Sequence, residues 1–267
     1  MKYKLIVSDV DGTLFQSGNR VMPRTVELVH QFQEKGGIFT LATGRMKKAI
    51  EPFIQELQIR FPVIVYNGTQ IVDTRTNRVL TASYLEENLA NTALELLEEH
   101  SLDPIIHVNQ QPYVANHSKS ILEHMEKDGI HCIIHDDLRQ LITQKVTKML
   151  IIGDPANLRQ YAEELIRTAA NDFQPVYSDW NYLEILPSGV SKGKALESLA
   201  KMKGISMEEI VAVGDERNDI SMLEAAGLGV AVANASEEVR RHADRVTLGS
   251  WNEGLDELIQ WVIKESS

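Results

Sequence analysis

The sequence predicts an α/β protein, a doubly wound parallel sheet with an inserted α+β domain. Three observations carry this reading. Short continuous apolar runs alternate with helical stretches near both ends of the chain, as buried parallel strands and their crossover helices do. Between about residues 82 and 186 the rhythm changes to a hairpin-rich texture. From Ser191 the first rhythm resumes. Residues 1–81 and 187–267 are therefore expected to form one core, with 82–186 inserted into it.

The elements follow in order. Leu5-Ile6-Val7 reads as a buried strand. A helix is expected over Pro23–Lys35, with proline in its first turn and Gly36-Gly37 as its stop. Ile38–Ala42 is a second strand, and a helix is expected after Arg45 to about Gln58. Val63–Tyr66 leads into Asn67-Gly68, a hairpin signal, with short strands at Ile71-Val72 and Val79-Leu80. In the inserted part, helices are expected near Leu85–His100, Lys119–Lys127 and Pro155–Ala170. Strands there are expected near Ile105–Val108, His131–Ile134, Val146–Ile152, Gln174–Tyr177 and Tyr182–Leu186. Afterwards come a helix over Lys194–Met202, a strand at Ile210–Val213, a helix over Asp219–Ala226 and a strand at Gly229–Val232.

Bulk properties narrow the function. The 267 residues are 43% hydrophobic, enough for a sizeable core. A formal charge of −11 disfavours nucleic acid as a partner, while a local cation site still admits a small phosphorylated molecule. One cysteine, Cys132, leaves no internal disulfide. The N-terminus lacks a signal-peptide core and no run is long enough to span a bilayer. The expectation is a cytoplasmic protein with no membrane partner, acting as a monomer or weak homo-oligomer.

Four polar clusters sit at strand ends or helix starts of the α/β part. Asp9-Val10-Asp11-Gly12-Thr13 follows the first strand, where open α/β sheets bind ligands. Two residues apart on extended backbone, Asp9 and Asp11 share a face. Such a pair repels unless a cation or a proton intervenes, which suits a metal site or acid–base work. Alone, the stretch reads equally as a turn. Thr43-Gly44-Arg45 offers a hydroxyl and close backbone approach to an anion at a helix start; alone it reads as a helix cap. Ser191-Lys192-Gly193-Lys194 offers a phosphate-balancing lysine, Lys192 rather than Lys194, which belongs on the helix surface. Asp215, Asn218 and Asp219 offer hard oxygen ligands of the kind Mg²⁺ takes. Together these residues meet the requirements for holding Mg²⁺ and a phosphoryl group at once.

These motifs, DVDGT (Asp9–Thr13), ATGR (Ala42–Arg45), SKGKAL (Ser191–Leu196) and GDERND (Gly214–Asp219), together with the GLGVAVANA stretch from Gly227 to Ala235, resemble the haloacid dehalogenase superfamily, specifically its Cof-type phosphatases. Arg217 departs from the family's frequent glutamate. The resemblance implies a Rossmann-like core with a large inserted cap that chooses the substrate. It implies that Asp9 is the nucleophile and forms an aspartyl-phosphate, and that Asp11 is the general acid and base. It further implies that Asp9, Asp215 and the Asp11 carbonyl bind Mg²⁺, with Asp219 and Arg45 supporting. Val10, Thr43, Gly44, Lys192 and Asn218 would hold the phosphoryl oxygens. The implied reaction is hydrolysis of small phosphomonoesters, sugar phosphates or phosphorylated cofactors. Alternatives are a phosphomutase sharing the core chemistry, or a phospho-accepting signalling module, in which a 100-residue insertion would be idle. His131, Cys132 and His135 suggest a soft metal site only weakly, because strand alternation puts Cys132 on the opposite face from the histidines. Trp251 and Trp261 read as packing of a final helix.

Overall fold

The computed structural model describes residues 2–16, 18–97, 99, 100, 102–169 and 173–265. The chain divides into two compact units, Met1–Thr81 with Ser191–Ser267, and Ala82–Val190. It begins β1 (Leu5–Ser8), α1 (Pro23–Glu34), β2 (Ile38–Leu41), α2 (Glu51–Glu56), β3 (Val63–Val65), β4 (Gln70–Val72) and β5 (Val79–Ala82). It continues α3 (Glu87–Leu97), β6 (Asp103–Val108), β7 (Gln111–Val114), α4 (Lys119–Asp128), β8 (Ile133–Ile134), α5 (Arg139–Ile142), β9 (Val146–Ile152), α6 (Pro155–Thr168), β10 (Phe173–Asp179) and β11 (Tyr182–Pro187). It closes with α7 (Lys192–Lys203), β12 (Ile210–Gly214), α8 (Ile220–Ala225), β13 (Leu228–Ala231), α9 (Glu237–Arg241), β14 (Arg245–Val246) and α10 (Trp251–Glu265).

The first unit is built on a parallel five-stranded sheet of order β14-β13-β12-β1-β2. All residues of β1 and β12 are buried, as expected for strands covered on both faces. From β1 the chain moves outward to β2 on one side, and later to β12, β13 and β14 on the other. The order therefore reverses at β1, a topological switch point where the loops after two neighbouring strands diverge and leave a crevice. Asp9 follows β1 and Asp215 follows β12, so both aspartates stand at that crevice. β3, β4 and β5 form a small separate sheet, and Ala42 bridges to Ile64 beyond the end of β2.

The second unit carries a six-stranded sheet of order β10-β11-β9-β6-β7-β8, antiparallel except for the β7–β8 pair. One face packs on α3 and α6 through Leu94, Ile106, Met149, Tyr161, Leu165 and Leu183. The other side of its central strands is polar yet buried: Lys148 pairs with Glu184 at 3.1 Å, their side chains only 5% and 4% exposed.

Several elements depart from the sequence expectation. The helix expected from Arg45 to Gln58 is a 3₁₀ turn (Lys47–Ile50) followed by the short α2, because Pro52 has no N–H to continue a helix from upstream and fits only a first turn. The helix expected from Lys194 opens two residues earlier, on a Ser191 hydroxyl that accepts from the Lys194 amide. The helix expected from Asp219 starts at Ile220 after a 3₁₀ turn, Arg217–Asp219. The strand expected over His131–Ile134 is only Ile133–Ile134, and β7 and α5 were not anticipated. Ala170, the expected end of α6, lies outside the described residues.

Candidate active site

β1 ends at Ser8, and the Asp9 amide still donates to the Val213 carbonyl (2.9 Å), which fixes Asp9 beside the end of β12. The chain then turns sharply, with the Leu14 amide donating to the Val10 carbonyl and Gly12 at φ +84°. Gly12 is required twice over. Its φ is left-handed, and a Cβ there would lie 2.1 Å from Asp215 Oδ2. The next residue, Thr13, donates its hydroxyl to Asp215 Oδ1 at 2.7 Å.

Lys192 is the hub. Its ammonium donates to Asp9 Oδ1 (2.5 Å) and Asp219 Oδ1 (2.6 Å), and it is 1% exposed. Asp219 Oδ2 accepts the backbone amides of Asp215 and Glu216, both at 3.0 Å. Both Asp219 oxygens are thus engaged in holding Lys192 and the loop that presents Asp215. Asp9 Oδ2, in contrast, makes no hydrogen bond among the described residues.

Residues expected from the sequence to hold phosphate also meet one another. The Thr43 hydroxyl accepts the Arg45 amide (3.1 Å), and the Thr43 carbonyl accepts the Asn67 amide (2.9 Å). Asn67 has φ +56°, which swings its side chain to accept from Asn218 Nδ2 at 2.9 Å. A Cβ on Gly44 would meet the same Asn67 amide at 3.1–3.2 Å. Gly68, at φ +96°, lets this loop rest directly on the Ser191 carbonyl, 2.2 Å from where a Cβ would be. The loop between β3 and β4 therefore joins the second, third and fourth clusters. Asn218 Oδ1 is buried with no hydrogen-bond partner among the described residues. Asp11, outside this buried set, has a side chain about half exposed, and both its oxygens are held by Arg45: Nε to Oδ2 at 2.8 Å, Nη2 to Oδ1 at 2.5 Å.

The site's electrostatics follow from burial. Burial first, then Asp219, pushes the Asp9 carboxyl well above the usual carboxylate range, with Lys192 opposing. Burial and Asp219 push Asp215 up to about 7. Burial alone would lower Lys192, but Asp219 and Asp9 outweigh it and raise it. Three buried carboxylates share one ammonium, and only a further cation would leave them all ionised at low cost. Asp9, Asp215 and Asp219 offer carboxylate oxygens within 4.8 Å of one another, a set that can hold a metal ion. Both Asp219 oxygens are engaged by Lys192 and backbone amides, and the two Asp215 oxygens accept from Thr13 and Asn234, so Asp9 Oδ2 is the one oxygen of the three carboxylates without a hydrogen bond among the described residues. Among the described residues no other group of three His, Cys, Asp or Glu side chains could share an ion, and His131, Cys132 and His135 are not such a group.

Two residues that tie the site together, Asn67 and Asn234, escaped sequence reasoning. Asn67 was visible only as a turn signal. Asn234 donates to Asp215 Oδ2 (3.3 Å) and to the Gly12 carbonyl (2.9 Å), and accepts the Trp251 amide (2.7 Å). It lies in the GLGVAVANA stretch, whose resemblance was noted without a role for the asparagine.

The model of the haloacid dehalogenase-like hydrolases matches residues 6–259. The chain belongs to this family. It is a Cof-type haloacid dehalogenase phosphatase, and similar proteins carry phosphatase names. One is the HMP-PP phosphatase of Serratia proteamaculans, 31% identical over 89% of this chain and 86% of the relative. Another is the pyridoxal phosphate phosphatase of Escherichia coli, 29% identical over 92% and 93%. Among solved structures, a haloacid dehalogenase-like hydrolase from Bacteroides thetaiotaomicron superposes with a TM-score of 0.90 at 30% identity, covering 98% of this chain and all of that one. No helix of the described residues is long and apolar enough to cross a membrane.

Proposed function

We propose that this phosphatase hydrolyses small phosphomonoesters in two steps through an aspartyl-phosphate on Asp9, with Mg²⁺ as cofactor. The observation that carries the reading is the lysine-bridged aspartate cluster at the switch point. Lys192 holds Asp9 Oδ1 and thereby aims Oδ2, the free oxygen, at an incoming phosphorus. In the first step an Asp9 Oδ2–P bond forms and the ester P–O bond breaks. The leaving oxygen takes a proton from Asp11. In the second step water attacks phosphorus, Asp11 takes the water's proton, and the bond to Asp9 breaks to release phosphate. Covalent catalysis splits one hard displacement into two.

Asp9 and Asp215 would hold Mg²⁺ with the Asp11 carbonyl, and the ion would supply positive charge to the phosphoryl oxygens. Thr43, the Val10 and Gly44 amides, Asn218 and Lys192 would supply donors to those oxygens, which is most of what phosphoryl transfer asks of a protein. Arg45 must release Asp11 in each cycle, since its fork holds both Asp11 oxygens. The unit Ala82–Val190 is proposed to select the substrate. Similar proteins named for pyridoxal phosphate and HMP-PP support a phosphorylated small metabolite as substrate.

The test is Mg²⁺-dependent release of phosphate from p-nitrophenyl phosphate and a panel of sugar phosphates and phosphorylated cofactors. Turnover is expected for the native chain and none for Asp9→Ala. Equal rates in the two proteins would overturn the reading.

A further inference from the structure

The first unit contains a second candidate site, remote from the aspartates. A cavity of about 480 Å³, within the range of small-molecule sites, lies at the start of β2, the opposite end of that strand from Thr43. It is lined by His30, Gln33 and Glu34 of α1, by Ile38 and Phe39 of β2, and by Gln58, Arg60 and Phe61 of the segment between α2 and β3.

The lining is chemically specific. Phe61, half-buried, gives it aromatic surface, while Phe39, 1% exposed, belongs to the core behind it. Arg60 and Glu34 reach the lining from separate segments and carry opposite charges, and neither side chain has an ion-pair or hydrogen-bond partner among the described residues. His30 Nε2 is buried and likewise has no hydrogen-bond partner among them. A buried ring nitrogen without a partner is costly, and a polar group in the cavity would relieve it. Lys203, with its ammonium 5.7 Å from the Phe61 centroid, adds positive charge near that ring.

A purely anionic ligand would suit Arg60 but face Glu34, and a purely cationic one would face Arg60. A ligand with both charges on one small centre and an apolar ring answers the whole lining. We propose that this cavity binds an α-amino acid with an aromatic side chain. Its carboxylate is directed to Arg60, its ammonium to Glu34 and its ring to Phe61. This site takes no part in the phosphatase chemistry and does not depend on it.

The test is calorimetric titration of the full chain with L-phenylalanine, 3-phenylpropanoate, which lacks the ammonium, and phenethylamine, which lacks the carboxylate. Saturable millimolar or tighter binding of L-phenylalanine is expected, with each analogue at least tenfold weaker. Arg60→Ala and Glu34→Gln should each weaken L-phenylalanine at least tenfold. Both residues are solvent-exposed and outside the phosphatase machinery, so the variants should keep native melting temperature and p-nitrophenyl phosphate turnover. The proposal is overturned if L-phenylalanine shows no saturable binding, if an analogue binds as tightly, or if either variant with native melting binds L-phenylalanine like the parent.

Discussion

Removing the charge of Asp215 should stabilise the metal-free protein while disabling it. Burial and the Asp219 carboxylate raise this group from 3.8 to about 7. A carboxyl raised in the folded state binds a proton more tightly folded than unfolded. Its stabilising contribution is complete below pH 3.8 and is lost as pH rises through about 7. At 1.36 kcal/mol per unit, the ionised side chain costs the fold about 4 kcal/mol above that window. Asp215→Asn abolishes this cost. The amide can still accept from Thr13, but its NH₂ group would face that of Asn234, now 3.3 Å from Oδ2, a loss of about 1 kcal/mol. The net gain at pH 8 in EDTA is therefore about 3 kcal/mol, roughly 6–12 °C in melting temperature for a unit of this size, and close to nothing at pH 4. Saturating Mg²⁺ should reverse the order by stabilising the parent and not the variant, and turnover should vanish in the variant. Differential scanning calorimetry at the two pH values, with and without Mg²⁺, decides the matter. An Asp215→Asn protein that melts at or below its parent at pH 8 in EDTA, or a gap independent of pH, would refute the electrostatic argument.

Asp9→Asn should abolish both the trapped phosphoenzyme and turnover. Asp11→Asn should keep Mg²⁺-dependent stabilisation yet lose about 10²–10⁴-fold in kcat on sugar phosphates, and less on p-nitrophenyl phosphate, whose leaving group needs little protonation; full sugar-phosphate activity would show the two roles to be misassigned. Gly12→Ala places a methyl group 2.1 Å from Asp215 Oδ2 on a left-handed residue. It should cost at least ~1–2 kcal/mol in a denaturant titration and about 10²-fold in kcat/KM; unchanged kinetics would mean the contact is dispensable. In the second unit, Lys148→Met removes the buried counter-charge of Glu184, which keeps its bond from the Ser178 hydroxyl, and should cost about 3–5 kcal/mol by calorimetry, most of it recovered by adding Glu184→Gln. A near-neutral single substitution would show that the pair is not holding the sheet.

What the sequence made legible were residues whose position follows from where a strand ends. Asp9, Lys192, Asp215 and Asp219 each follow a buried apolar run or open a helix, and the structure brings all four into one hydrogen-bonded cluster. Lys194 lies on the exposed face of α7, as expected. The order of strands was not legible: that β1 stands between β2 and β12 depends on pairings such as Leu5 with Ile210, which no local pattern encodes. Nor was the use of Asn67. As a dipeptide, Asn67-Gly68 signals a turn, and the turn exists, but its left-handed asparagine also bridges Gly44 and Asn218. Asn234 was hidden for the same reason, since its partners Asp215 and Gly12 are distant in sequence. The break at Pro52 could have been read directly, because proline belongs in a first turn and not mid-helix.

The pairing of Leu5 with Ile210 has a consequence for how the protein is made. The unit Ala82–Val190 is one continuous stretch, whereas the unit holding the aspartates closes only when the final segment arrives. At a ribosomal pace of about 5–20 residues per second, the edge of β1 waits roughly 10–40 s for β12. Through that interval β1, apolar from Leu5 to Val7, lacks its β12 partner and offers an unpaired margin to other nascent chains. The crevice between β1 and β12 thus forms only after the whole inserted stretch has been made, and a product truncated before β12 would leave β1 without that partner strand.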